Sequence, residues 1–107
     1  MSNILDDGKN ARNAICLHCP CKILLAGDGS HQKFEEKLPA EDGNETCTVK
    51  TWWQVDDMYS FYNIGFSKTV GNKKYLVCAD CERGPIGYHD LDTKKSYLAT
   101  EMVGYSQ

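Results

Sequence analysis

The chain has 107 residues, 41% hydrophobic and 25% charged, which suits one folded domain with a small core and excludes general disorder. Its formal net charge of −3 argues against a domain built to grip a phosphate backbone, because such domains need an electropositive face. No run approaches the roughly 18 apolar residues of a membrane span, and the opening "MSNILDDGKNARN" has neither the apolar core nor the cleavage pattern of a secretory signal. The expectation is therefore a cytosolic protein without membrane insertion or a nucleic-acid partner. In a reducing compartment, structural disulfides explain six cysteines poorly.

Residues 1–12 are polar, include Gly8 and read as a flexible tail; residues 13–107 read as one domain. "AICL" and "KILLAG" flank a cysteine-rich stretch as two short strands joined by a tight turn. "DGSHQKFEEKLPAEDGNETC" is punctuated by Gly29, Pro39 and Gly43 and reads mostly as loop, with a strand over Lys33 to Leu38. "TVKTWWQV" is β-branched and aromatic, hence a strand, and adjacent Trp52 and Trp53 point to opposite faces, so one is assigned to the core and the other to the surface or a covering loop. "MYSFYNIGF" alternates well enough for another strand, with room for a short helix over 56–60. Gly71-Asn72 marks a hairpin turn, and "KKYLVC" is the strand that follows it. "GPIGYHDLD" and "SYLATEMVG" supply the last strands. Short runs separated by turns predict an all-β meander.

The chemistry sits in two Cys-x-x-Cys pairs, Cys16/Cys19 and Cys78/Cys81, with residues 20–77 between them. Each pair brings two sulfurs to one side of a tight loop, and two such loops supply the four thiolates of a tetrahedral zinc site. Four thiolates leave no open position for water, so the site reads as structural, stapling distant parts of a small core. Cys21 is a surplus thiol beside it, although Cys21 or His18 remains an alternative ligand from spacing alone. A thioredoxin-like redox centre expects a βαβ setting that the strand pattern does not supply. Cys47 reads as a partly buried packing residue.

The segment from Trp52 to Val103, with its "VDDM", "GF-x-K-x-VGN-K" and "VCADCE-x-GPIG-aromatic-H" blocks, resembles the Rab-interacting factor family, and "ICLHC" matches that family's first zinc knuckle. The likeness covers roughly residues 12–103 and departs over Leu25 to Thr46. It implies small antiparallel sheets in a tent-like arrangement, tied by one zinc ion on Cys16, Cys19, Cys78 and Cys81. It also implies binding to Rab-type small GTPases, preferably nucleotide-free, with GDP release or protection of the empty GTPase in vesicular traffic. Such a factor acts by binding, without covalent chemistry, and is expected to be a monomer when free.

Within "VDDMYSFYN", Asp56 and Asp57 stand beside Met58, Tyr59 and Phe61, a mixture of carboxylate, thioether and aromatic groups that suits a protein interface as well as a solvated turn. The resemblance places Asp57 and Met58 on the Rab-contact segment. From the residues themselves, Asp80 and Glu82 read as an exposed acidic rim able to pair with Lys or Arg of a partner, and Tyr62, Asn63 and Phe66 as continuing the same surface. Gly84 and Gly87 read as turn glycines in conformations other residues avoid. His89 reads as structural, and Lys68, Lys73 and Lys74 as a solvated face. A zinc-bearing methionine sulfoxide reductase is the enzyme alternative, disfavoured because no cysteine follows Cys81. A generic zinc-ribbon binding module is the other alternative.

Overall fold

The computed structural model describes residues 5–6, 8–17, 21–39, 46–57, 60–80 and 85–105. It is nearly all β, with no α-helix among the described residues, and every strand pair is antiparallel. The strands are β1 (Leu5–Asp6), β2 (Lys9–Asn10), β3 (Ala14–Ile15), β4 (Lys22–Leu24), β5 (Ser30–Pro39), β6 (Thr46–Val55), β7 (Ile64–Val70), β8 (Lys73–Cys78), β9 (Gly87–Asp90), β10 (Ser96–Ala99) and β11 (Gly104–Tyr105). Eight form one sheet in the order β1-β2-β5-β6-β10-β9-β8-β7; β11-β3-β4 form a second.

The large sheet curls into a half-barrel. Its pairing shifts between Lys33 and Glu36 on β5, and such an irregularity bends a strand and increases its twist. As a result Glu36 Oε1 reaches Lys73 Nζ at 2.6 Å, although β6, β10 and β9 lie between their strands in the sheet. Lys73 also lies over the Tyr88 ring, 5.1 Å from its centroid. Lys73 is thus a tie across the curl rather than part of a solvated face.

Curling explains the two tryptophans. Trp52 and Trp53 do point to opposite faces of β6, but both are fully buried. Trp53 packs with Ala14, Ile23, Leu24, Val55, Leu76 and Leu98, the cluster that joins the two sheets. Trp52 packs inside the curl with Leu38, Val49, Tyr75, Tyr88 and Ala99, stacked on Phe34. Each indole N–H is satisfied: Trp52 donates to Phe34 O at 3.0 Å and Trp53 to Tyr105 Oη at 2.9 Å. A single-layer sheet would have exposed one of them; a sheet covered on both sides buries both.

Four other expectations change. The stretch read mostly as loop contains the ten-residue strand β5, whose polar alternation comes from an outward face. β1 and β2 lie within the stretch assigned to the tail, and Asn10 is buried: its amide donates to Arg12 O and Leu25 O, and its Oδ1 accepts from Gly29 N. Cys47 is exposed rather than partly buried. β7 starts at Ile64, so residues 60–63 lie outside the strand, and Ser60 N–H donates to Asp57 O; Met58 and Tyr59 lie outside the described residues.

Candidate metal centre and partner-binding surface

The first cysteine pair leaves the hairpin of β3 and β4. Ile15 pairs with Lys22, and Cys16 N–H donates to Cys21 O at 2.9 Å. Cys16 is buried in the Trp53 cluster and Cys21 packs against it. Of the second pair, Cys78 ends β8, is fully buried in the same cluster and pairs with Ile64 of β7. Cys19 and Cys81 lie outside the described residues, and among the described ones no group of three or more metal-ligating side chains forms.

Two observations bear on whether this donor set suits a metal. Strand ends from different sheets bring Cys16 and Cys78 into one buried cluster, as a four-thiolate site would require. In addition, Asn63 Nδ2 donates to Cys78 Sγ at 3.2 Å. A neutral thiol is a weak acceptor, whereas a metal-bound thiolate is electron-rich and is commonly held by such an outer hydrogen bond. By donor type, thiolates with an amide donor behind them suit zinc, and Cys16 and Cys78 are the described half of that donor set.

Asn63 takes φ = +57°, a left-handed conformation that Asn tolerates better than most residues. Its carbonyl accepts from Ala79 N at 2.8 Å. One residue earlier, Tyr62 N–H donates to Ile23 O at 2.7 Å, and Phe61 bridges Leu24. The strap Phe61–Asn63 thus touches β4 on one side and the Cys78 knuckle on the other. Asn63 was read from sequence as a surface residue; its amide is turned inward. An Asn just ahead of a strand and a Gly is the signal that could have marked it.

The surface around the strap mixes charge and aromatics. Asp56, Asp57 and Asp80 are exposed, as are Tyr62 and Phe66, each at 47%. Gln54 Nε2 donates to Asp56 Oδ1 at 2.8 Å. Lys22 Nζ lies 5.9 Å from the Tyr62 centroid, and Lys74 Nζ 4.8 Å from that of Phe66. Lys74 is therefore held on an aromatic face, contrary to the purely solvated role expected of it. Gly65, Phe66, Ser67, Val77 and Ala79 line an open groove of ≈ 450 Å³ beside the Cys78 end of the sheet. Met58, Tyr59 and Glu82 lie outside the described residues.

His89 is structural, with Nδ1 2.8 Å from Ser96 Oγ. Burial, aided by Lys74 and opposed by Asp90, holds it below the ordinary imidazole range. Gly87 sits in β9 without a left-handed φ; what requires glycine there is the close approach of β10.

The Mss4 family model, described as "Mss4 protein", matches residues 9–105. The chain belongs to the Mss4 family. The same family is the one its motifs resemble, and the match runs through β5 as well as the two knuckles. Mss4-family relatives include a Drosophila melanogaster protein, "guanine nucleotide exchange factor MSS4 homolog", 44% identical over 95% of this chain and 90% of that protein. A Schizosaccharomyces pombe protein of the same description is 30% identical over 82% of this chain and 91% of its own length.

Proposed function

We propose that this chain is a guanine nucleotide exchange factor acting on a Rab-type small GTPase. It prefers the nucleotide-free form and either promotes GDP release or protects the empty GTPase in vesicular traffic in the cytosol. The observation that carries the exchange-factor reading is 44% identity, across 95% of the chain, to a relative described as a guanine nucleotide exchange factor. The exposed Asp56, Asp57, Tyr62 and Asp80, and Phe66 on the rim of an open groove, support it, because exposed carboxylates can pair with basic switch residues and aromatics can bury apolar ones.

The proposed mechanism needs no nucleophile and no general base. Binding energy spent on the empty GTPase must, by linkage, weaken its hold on nucleotide by the same factor. Asp57 and Asp80 are assigned to pairing with Lys or Arg of the GTPase, and Tyr62 and Phe66 to its apolar switch surface. Cys16, Cys19, Cys78 and Cys81 are assigned to one structural zinc ion, which supplies a covalent tie between the two knuckles when bound.

The test is retention of a panel of Rab proteins, nucleotide-free, GDP-bound and GTP-bound, on the immobilised chain, together with release of a fluorescent GDP analogue. Selective retention of an empty Rab and faster release support the reading. Equal retention of all three states, or none of any, overturns it.

A further inference from the structure

We propose that Asn63 is a positioning residue of the metal centre and that the strap Phe61–Asn63 couples the metal-bound state to the partner-facing surface. The proposal rests on the zinc site assigned above and goes beyond it to a residue outside the ligand set.

Three hydrogen bonds and one bridge converge on three consecutive residues. Asn63 donates its side-chain amide to Cys78 Sγ at 3.2 Å, and its carbonyl accepts from Ala79 N at 2.8 Å. The Cys78 sulfur and the N–H of Ala79, the residue that follows it, are therefore both held by Asn63, one through its side chain and the other through its backbone carbonyl. On the other side, Tyr62 N–H donates to Ile23 O at 2.7 Å and Phe61 bridges Leu24, both residues of β4. β4 is the strand that follows the Cys16–Cys21 loop. The strap thus spans from one knuckle's hairpin to the other knuckle's sulfur, crossing between the two sheets.

The geometry has an electronic and a mechanical consequence. An amide donated to a ligating thiolate spreads its negative charge and fixes its orientation, and outer partners of this kind typically alter metal affinity about 10–100-fold when removed. Mechanically, the left-handed φ of +57° at Asn63 turns the chain so that Tyr62 faces outward while the amide faces in. Tyr62, 47% exposed, and Phe66, three residues past Asn63 on β7, flank that turn. A knuckle that loses its metal releases the anchor of the same turn that presents the aromatic surface.

Two substitutions separate the amide from the backbone. Asn63→Gly keeps the left-handed conformation at no steric cost but deletes the donor. Asn63→Asp keeps shape and left-handed tolerance but replaces the donor by an acceptor. In the full-length chain, both variants are expected to transfer zinc to a competing chelator roughly tenfold faster or more than wild type. Both are also expected to shift the thiolate-to-metal charge-transfer band of the cobalt(II)-substituted protein. Amide hydrogen exchange at Tyr62 and Ala79 should rise in both variants, and in wild type on chelation.

Wild-type zinc content, measured by elemental analysis, separates the two readings. Absence of zinc from the purified wild-type chain overturns the metal assignment and the proposal with it. Zinc present in wild type, with transfer rate and cobalt spectrum unchanged in both variants, overturns the role of Asn63 alone. A slowed exchange at Tyr62 or no change on chelation overturns the coupling.

Discussion

Replacing Gly87 by alanine should unfold this protein more readily than any other single methyl addition at its described glycines. A Cβ at position 87 would lie 2.1 Å from Tyr97 O, 3.0 Å from Leu98 Cα and 3.1 Å from Tyr97 C. A carbon meets a carbonyl oxygen at about 3.3 Å, so β9 and β10 must part by on the order of 1 Å. Every clashing atom is backbone, and no rotamer change relieves it. Parting the strands strains the Ala99 N–H to Ile86 O bond of 2.8 Å and moves fully buried Leu98 away from its neighbours. Overpacking of this kind costs about 1–3 kcal/mol, with the upper end expected for backbone, and a weakened hydrogen bond adds about 1 kcal/mol. The sum, about 3–4 kcal/mol, corresponds to a melting temperature lower by about 12–16 °C at roughly 4 °C per kcal/mol. Urea unfolding followed by the fluorescence of buried Trp52 and Trp53 measures it directly. Gly71→Ala is the control: there φ is +61° but no atom lies within 4 Å of the added methyl, so only conformational strain of about 1 kcal/mol is expected. A Gly87→Ala loss below about 1 kcal/mol, or one no larger than the control's, would refute the close-approach explanation.

Asp57→Ala and Asp80→Ala remove exposed carboxylates and should weaken retention of nucleotide-free Rab and slow GDP release, with Asp80→Ala leaving the melt within about 0.5 kcal/mol of wild type. Unchanged affinity in the double variant would exclude the acidic rim from the interface. Cys78→Ser, or chelation of wild type, should abolish the cooperative melt near its original midpoint, since a small core loses its staple; a preserved midpoint would overturn the structural role of the metal. Stability should also fall in acid. Burial holds His31 and His89 below their ordinary value of 6.5, so the folded state binds fewer protons than the unfolded one and loses stability as pH drops through that value. Glu36, held below its ordinary value of 4.5 by the bond from Lys73, adds a further loss at lower pH. Denaturant titrations at pH 7.0 and 5.5 on wild type and on the His31→Gln/His89→Asn pair check it: the double variant should flatten the decline, and an equal decline would exclude the histidines.

The hairpins and strands were legible wherever apolar alternation met a clear turn. Gly71-Asn72 sits between Val70 and Lys73 as paired residues, and "KKYLVC" is β8. β5 was not legible because its outward residues, such as Lys33, Glu35 and Lys37, are as polar as a loop's. Its partner strand, not its own composition, makes it a strand. Trp52 was half-legible: strand alternation placed it opposite Trp53, but only the curl of the sheet covers its face. Asn63 looked like a surface polar residue for the same reason, since nothing local tells an amide which way a left-handed turn will aim it.

The sequence by itself determined the paired Cys-x-x-Cys spacing, the all-β class and the family, because these depend on residue type and short spacing. Tertiary structure alone decided that Glu36 and Lys73 close the curl, that both tryptophans are buried, and that Phe61–Asn63 runs between the two knuckles. Each of those facts joins residues far apart in the chain, and the partner that sets their role is supplied by how the sheets fold over one another.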